Sequence, residues 1–353
     1  MTVYVEALRV LRTRLEPFGK SGSIPDDGEG TDASWMAVHP SQAAVLASVC
    51  DVLATSGAAG FGEEHHTASF MGHLMTNLHW FSMLEGWSQP PGAKTSTPRI
   101  SWAYQGRDDE AVSGADFGLV VRPLDGSPDR VALYQAKLSS SLVKSQATSI
   151  SIGHLIGEPA PDLVRYGGFV RSANAWRDEV PAPDAVLFDG PRYQIEALFS
   201  SQLRGREVSG SLAPWCHYAV WHKQAIGGRK TPRWAQTVSV IDVLAAQPTN
   251  PIVRPGTYHV GRDRPDLSKA VIDVLVGNDE DTYLEVLPDA LPTLLSRVAV
   301  LFPGVQFVAV DEGDSGGLDS DLDAAGLSVS VVQPQFNPTP GLGANPEAST
   351  LTL

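Results

Sequence analysis

The sequence predicts a mixed α/β (α+β) fold, because segments with helical periodicity are followed by segments with the composition of strands. Apolar residues recur at helical spacing in residues 4–18, which indicates an amphipathic helix. Ser41 and the glycines near residue 60 mark the starts of two further helices. The predicted helices are 4–18, 41–53 and 63–81, and the predicted strands are 100–104, 116–121, 131–138 and 217–221, with 238–244 as a strand or the start of a helix.

The sequence changes character from about residue 250, where a helix within 282–302 precedes two segments typical of strands. These segments, 305–310 and 327–332, form either a small separate α/β unit or a continuation of the main sheet. Between them, residues 311–323 contain six acidic residues and no basic residue, which predicts a solvated loop. The predicted units are an N-terminal helix and loop at 1–39, a core at 40–245, a smaller C-terminal α/β region at 246–335 and a disordered tail at 336–353.

Composition excludes several classes of protein. The two cysteines, Cys50 and Cys216, are far apart in sequence, which argues against a disulfide scaffold and a cysteine-rich zinc site. Residues 1–10 lack the basic start and apolar run of a signal peptide. The most apolar late segment, 298–310, is too short to span a membrane. We therefore expect a soluble, cytoplasmic protein without a membrane partner.

The net charge of −14 disfavours nucleic-acid binding, since phosphate contacts usually come from a basic surface. The charge is uneven, because residues 137–233 hold 12 Lys and Arg against 8 Asp and Glu, a balance of +4 that leaves −18 for the rest. Within this basic middle, bases lie near Trp176 and Trp234, as in surfaces that clamp phosphates and stack bases. The alternative is an ordinary solvated surface above buried tryptophans. The predicted DNA-binding residues are Arg171, Arg177, Arg229, Lys230 and Arg233.

The most informative segment, residues 113–138, predicts a hairpin that turns at Asp125-Gly126. Pairing that is symmetric about Gly126 puts residue i opposite residue 252 − i, so that Asp116 faces Ala136. Gln135 and Lys137 flank that position and share one face of their strand, because side chains alternate along a strand. Polar groups therefore converge at one end of a hairpin that is otherwise strongly apolar.

A buried lysine beside a carboxylate is costly unless both groups are used or satisfied. A divalent cation would supply the reason, since Asp116 offers a charged oxygen, Gln135 an amide oxygen and Ala136 its backbone carbonyl. Such oxygen ligands suit octahedral Mg2+ or Mn2+. Lys137 would then orient or deprotonate the attacking water while the metal polarises a scissile phosphate. The structural alternative is a plain hairpin in which the aspartate and the lysine meet by accident.

These residues resemble the PD-(D/E)XK nuclease superfamily, in the Gln-x-Lys variant of bacterial restriction and phage-defence proteins. Asp116 matches the acid at the start of one strand, Gln135-Ala136-Lys137 the triplet on the next, and GFGEEHHT the start of a preceding helix that bears a glutamate. The resemblance covers about residues 60–138. It implies a restriction-endonuclease-like core with a mixed central sheet flanked by helices, Mg2+-dependent hydrolysis of phosphodiester bonds in DNA, and a role in anti-phage defence. Gln135 stands where an acid would add one more negative charge to the metal site.

The resemblance makes Glu63 or Glu64 the helix acid, as a catalytic residue and metal ligand. Glu63 shares a helix face with Thr67 and Leu74, whereas Glu64 lies about 100° away. Glu63 is therefore the predicted site acid, and Glu64 is its substitute.

Two other functions fit the same residues. One is a catalytically weak or inactive subunit that keeps the nuclease fold and binds or scaffolds a defence complex, which the acidic balance and the neutral Gln135 favour. The other is an RNA-directed nuclease, which would share every site residue. Besides DNA, the expected partners are a protein of a defence system or a second copy of the chain in a homo-oligomer.

Overall fold

The computed structural model describes twelve stretches of the chain. They are residues 3–24, 38–56, 62–89, 98–105, 116–139, 148–152, 163–178, 193–222, 235–247, 257–260, 264–313 and 316–332. The predicted tail at 336–353 lies outside the described residues, as do three predicted DNA-binding residues, Arg229, Lys230 and Arg233.

The described chain forms α-helices, strands and short 3-10 turns. The helices are α1 (Val3–Leu15), α2 (Pro40–Ser56), α3 (Glu63–Ser88), α4 (Leu163–Arg177), α5 (Gln194–Ser209), α6 (Val240–Ala245), α7 (Leu267–Val276), α8 (Leu291–Leu301) and α9 (Gly317–Ala324). The strands are β1 (Arg99–Tyr104), β2 (Asp116–Arg122), β3 (Asp129–Leu138), β4 (Thr148–Ser151), β5 (Cys216–Trp221), β6 (Gln236–Ser239), β7 (Thr257–Val260), β8 (Leu284–Val286), β9 (Gln306–Asp311) and β10 (Ser328–Val331). The 3-10 turns are Glu16–Phe18, Ser21–Ser23 and Glu280–Thr282.

Eight of the strands form one mixed sheet in the order β10-β1-β9-β2-β3-β5-β6, and β8 pairs with one end of β3. The pairs β2–β9 and β3–β5 are parallel, and the other pairs of this sheet are antiparallel. Strands β4 and β7 pair separately. The predicted mixed α/β fold, with a mixed central sheet flanked by helices, is confirmed.

The C-terminal strands belong to the central sheet. Strand β9 inserts between β1 and β2, and β10 pairs with the outer side of β1. Of the two arrangements that the sequence left open for residues 305–332, the structure shows the continuation of the sheet.

Both faces of the sheet are buried, and the central strands alternate between the two sides. One face packs on helices α1, α2, α3 and α7, and the opposite face packs on α4, α5, α6, α8 and α9. Phe117, Leu119 and Val121 of β2 face the first group, whereas Val120 of the same strand faces the second. Burial on both sides explains why β2 and β3 have near-continuous apolar runs.

The acidic segment after β9 differs from the prediction, because residues 317–324 form helix α9 instead of a solvated loop. Two of its carboxylates have basic partners from distant strands. Arg99 Nε donates to Asp319 at 2.6 Å, and an Arg122 guanidinium nitrogen donates to Asp321 at 2.7 Å. Local composition gave no sign of these bases, which lie some two hundred residues earlier.

Within the described ranges, no helix has the length and apolar character needed to cross a bilayer.

Gly118 is required by the close approach of β9 to β2. A Cβ built on Gly118 would lie 2.3 Å from two ring atoms of Phe307, its partner residue in β9. We expect Gly118→Ala to lower the free energy of unfolding by about 1–3 kcal/mol, since the buried ring has to shift. Gly168→Ala is the control, because a Cβ there meets nothing within 4 Å on helix α4 and should stabilise by about 0.5–1 kcal/mol. Urea denaturation of both variants measures the difference, and equal stability would contradict the predicted steric conflict.

Candidate active site at the end of strand β3

The register of the β2–β3 hairpin differs by one residue from the prediction. Asp116 pairs with Gln135, and Phe117 pairs with Tyr134, so residue i lies opposite residue 251 − i. The predicted pairing of Asp116 with Ala136 is therefore wrong. The turn is centred between Asp125 and Gly126, where Asp125 accepts a hydrogen bond from the Ser127 amide at 3.0 Å and Gly126 has a φ of 79°.

The observed register places Asp116, Gln135 and Lys137 on one face of the sheet, whereas the predicted register put Asp116 opposite Ala136. Positions directly opposite each other in an antiparallel pair share a face. Position 116 therefore shares the face of Gln135, and Lys137 lies two residues further along the same strand. The side chain of Asp116 lies outside the described part of the chain, and the position of this residue in the sheet follows from the backbone pairing.

Lys137 is buried and held from two directions. Only 7% of the residue is exposed. Its ammonium nitrogen donates a hydrogen bond to Gln194 Oε1 at 2.9 Å and lies 3.7 Å from Glu63 Oε1. These partners come from the first residues of helices α5 and α3, respectively. The charge of Lys137 is thus balanced and its position fixed at the end of β3.

Glu63 joins the start of helix α3 to the end of strand β3. Its Oε2 accepts a hydrogen bond from the Leu138 amide at 2.9 Å. The last β2–β3 pair in the described chain is Asp116 with Gln135, and the Leu138 amide receives its partner from Glu63. Backbone groups two residues apart point to the same side of a strand. The carbonyl of Ala136 therefore points to the side on which Glu63 lies.

The first turn of α3 is anchored against the last residue of β5. Trp221 Nε1 donates to Thr67 Oγ1 at 3.1 Å, and that hydroxyl donates to the Glu63 carbonyl at 3.0 Å. The His66 ring stacks on Trp221 with 5.4 Å between ring centroids. Burial lowers the pKa of His66, and the neighbouring His65 lowers it further. Glu64, the substitute acid, is exposed on the outer side of the same turn.

Gln135 is fully buried at the centre of this site, next to Tyr218 of β5 in the parallel register. Among the described residues, neither its amide oxygen nor its amide nitrogen has a hydrogen-bond partner. A buried amide without a partner costs free energy, which a ligand at this position would recover. Gln135 is one of several buried side chains with an unpartnered polar atom in the described chain, and it lies two residues from Lys137 on the same strand face.

Glu63, Gln135 and Ala136 offer oxygen atoms, which are the ligands that hard divalent cations prefer. Gln135 offers an amide oxygen, Ala136 its carbonyl, and Glu63 a carboxylate oxygen that is not used by the Leu138 amide. Within the described ranges, no three His, Cys, Asp or Glu side chains form a cluster suited to a metal. A metal ion at this site would therefore be bound by the Glu63 carboxylate, the Gln135 amide oxygen and the Ala136 carbonyl, together with Asp116.

Gln194 is a site residue that the sequence analysis missed. It is 3% exposed and provides the hydrogen-bond acceptor for Lys137. No motif marks a single glutamine at the start of a helix. The only signal was chemical, since a buried lysine requires an acceptor.

Of the predicted DNA-binding residues, the structure describes Arg171 and Arg177, and neither is a partner of Lys137 among the described contacts. Arg171 is exposed on helix α4. Arg177 lines an open cleft of about 1030 Å3, whose lining does not include Glu63, Gln135 or Lys137. Three exposed carboxylates, Glu280, Asp281 and Glu285, line the same cleft. Their charge disfavours phosphate binding at Arg177.

Comparison of the chain with protein-family models, curated proteins and solved structures found no match. The residues at the end of β3 and their geometry are therefore the guide to its function.

Proposed function

We propose that the protein is a metal-dependent nuclease that hydrolyses phosphodiester bonds in DNA. One observation carries the proposal: Lys137 and Glu63 lie 3.7 Å apart beside Gln135, a buried amide without a partner in the described chain, in the strand position opposite Asp116. An ammonium, carboxylates and an amide oxygen around one point are the groups that metal-assisted phosphate hydrolysis requires.

Four residues would hold Mg2+ or Mn2+, namely Glu63, Asp116, Gln135 through its amide oxygen, and Ala136 through its carbonyl. When bound, the metal would polarise the scissile phosphate and lower the pKa of a water molecule. Gln135 contributes an oxygen without adding charge, and its burial on a central strand keeps that oxygen in place.

Lys137 would hold and orient the attacking water. Its ammonium has three protons, of which one is donated to Gln194 and another can reach Glu63. The remaining proton is available to a water or a phosphate oxygen. Gln194 and Glu63 thus position Lys137, because they fix the direction in which this proton points.

We also propose a restriction-endonuclease-like core, in which α3, β2, β3 and β5 provide the scaffold, and a role in cytoplasmic anti-phage defence. Support comes from the order of elements, with a helix that bears a glutamate before the strand of the acid and the strand of the Gln-x-Lys triplet. An RNA-directed nuclease would use the same residues.

A second candidate is a binding or scaffold subunit that keeps the fold without the chemistry. It is favoured by one observation, that Gln194 and Glu63 already balance the charge of Lys137 and fix its position. Incubation of plasmid DNA and of single-stranded RNA with Mg2+ or Mn2+, and with EDTA as a control, separates the candidates. Metal-dependent cutting supports the nuclease, and absence of cutting of either substrate supports the scaffold.

Lys137→Met is expected to abolish metal-dependent cutting while DNA binding is retained. Methionine keeps the buried aliphatic volume but cannot hold a water by an ammonium proton. Lys269→Met is the matched control, since Lys269 lies on α7 and its side chain is 55% exposed. Plasmid cleavage, DNA binding and the melting temperature are measured for both variants. Wild-type cutting by Lys137→Met would show that the Gln-x-Lys triplet is not catalytic.

Glu63→Gln is expected to cost more activity than Glu64→Gln. Only Glu63 contacts Lys137 and the Leu138 amide, whereas Glu64 is exposed. Each variant removes one negative charge, and the two positions are adjacent. A difference between their cleavage rates at equal protein concentration therefore reports the position of the charge and not its number. Equal losses, or a larger loss in Glu64→Gln, would contradict the assignment of the helix acid.

DNA binding by the isolated chain is expected to be weak and steeply dependent on salt. A net charge of −14 repels DNA, and the basic balance lies between residues 137 and 233. Reversing Arg229, Lys230 and Arg233 to glutamate should weaken binding and lower the slope of log K against log salt by about 0.9 per lost contact with duplex DNA. The same reversal at Arg9, Lys269 and Arg297 is the control. Tight binding that is insensitive to salt, or an unchanged first variant, would place the DNA elsewhere.

A further inference from the structure

Helices α1 and α3 expose large apolar side chains at regular spacing. Four of the nine exposed large hydrophobic residues in the described ranges lie on these two helices, at Val3 and Val10 of α1 and at Trp80 and Trp87 of α3. Each pair is seven residues apart, which places its members on one side of a helix. The two tryptophans are 42% and 61% exposed. Side chains of this size rarely face water without a function.

The two helices are neighbours. The Tyr4 amide donates to Ser88 Oγ at 3.2 Å, and the Tyr4 ring meets the Phe81 ring edge-on at 6.5 Å between centroids. The start of α1 therefore lies beside the end of α3, where Val3 and Trp87 are adjacent in sequence to the hydrogen-bonded pair. The exposed apolar residues belong to one surface.

The exposed side of α3 has no formal charge over most of its length. Between Glu64 and Glu85 the helix contains no Asp, Glu, Lys or Arg. We call this surface the α3 face, and its members are Ala68, Gly72, Thr76, Trp80, Met83 and Trp87. In a chain with 40 acidic residues, a neutral helix side of this length is a distinct feature.

Gly72 has no packing role among the residues that the structure describes. A Cβ built on Gly72 meets nothing within 4 Å, and the residue is exposed in the interior of a 26-residue helix. Glycine destabilises a helix interior relative to alanine. Its small size is useful if another helix approaches closely at this point.

We propose that a second copy of this chain docks on the α3 face, with the two α3 helices antiparallel and the two-fold axis near Thr76. Residues 68, 72, 76 and 80 form a row at spacing four, which is the type of ridge that packs in the commonest helix–helix contact. Antiparallel pairing about Thr76 places position 80 of each helix opposite position 72 of the other. Each Trp80 then fills the space above a Gly72, and the contact is self-complementary, as a two-fold interface must be.

The charges of the chain favour a second copy over a basic protein as the partner that binds the α3 face. Two chains of charge −14 repel each other as a whole, and contact between two neutral helix surfaces adds no like-charge pair to that repulsion. A basic protein would instead be attracted to acidic residues, and the α3 face contains none between Glu64 and Glu85. The site at Glu63 lies at the N-terminal end of α3, away from the proposed axis at Thr76.

Sedimentation analysis over a range of concentrations tests the proposal. The wild type should have twice the chain mass of 37.6 kDa. Gly72→Gln and Trp80→Glu should each raise the dissociation constant at least about tenfold, and Val300→Glu, which changes another highly exposed apolar residue on α8, should not. Circular dichroism should be the same for all variants, since neither Gly72 nor Trp80 is buried. A monomeric wild type, or dimers that persist in both variants, would overturn the proposal.

The salt dependence of dimerisation and disulfide cross-linking through an introduced cysteine test the proposed contact independently. Added salt should tighten the dimer, because it screens repulsion between acidic chains and breaks no ion pair at a neutral face. Thr76→Cys should form a disulfide-linked dimer on mild oxidation, whereas Val300→Cys should not. The natural cysteines Cys50 and Cys216 are buried, so they do not interfere. Dissociation by salt, or equal cross-linking at both positions, would show that the copies meet elsewhere.

Discussion

The burial of strand β3 on both faces and along both edges is the constraint from which the site follows. The strand pairs with β2, β5 and β8, and its residues from Asp129 to Lys137 are all buried. Every polar side chain on it must find a partner inside the protein. At its start, Asp129 is fully buried and accepts two hydrogen bonds from the Arg122 guanidinium at 2.9 and 2.6 Å. At its end, Lys137 has Gln194 and Glu63. Both polar atoms of the buried Gln135 amide lack a hydrogen-bond partner in the described chain, as do Tyr134 Oη and two Arg130 nitrogens of the same strand. Among these groups, the Gln135 amide is the one on the strand face of Lys137, at the end of β3 where the site forms.

The site forms where several elements end. Within the described residues, the β2–β3 pairs end at Asp116, and the Leu138 amide is bound by Glu63 at the start of α3. Helix α5 begins beside the same point and contributes Gln194. Side chains at the ends of elements can meet without interrupting the regular hydrogen bonds of the sheet, and the packed core behind them limits their movement.

Helix α3 connects the two proposals. Its first residue faces the site, its inner side packs Phe70 and Leu74 into the core, and its outer side is neutral. Docking of a second copy on that outer side would hold the helix that bears Glu63 more firmly. It would also combine two basic middle segments, and two linked DNA contacts bind more tightly than one. An acidic chain could in this way gain DNA affinity without a change in its own charge.

Local patterns in the amino-acid sequence predicted most of the helices and strands. Which strands pair and which helices pack together depends on contacts between distant parts of the chain. Helices α1, α2 and α3 and the strands around residues 100, 118, 134 and 218 were predicted to within a few residues, except that α3 extends to Ser88. Local periodicity contains that information, since it reflects which side of an element is buried. The insertion of β9 between β1 and β2, the ion pairs that accompany helix α9 and the Gln194–Lys137 hydrogen bond all join residues distant in sequence. The hairpin register, 251 instead of 252, could not be read from side-chain alternation, because both faces of β2 and β3 are buried and their apolar runs are near-continuous. Such pairings are set by packing and by turn geometry, which no local pattern records.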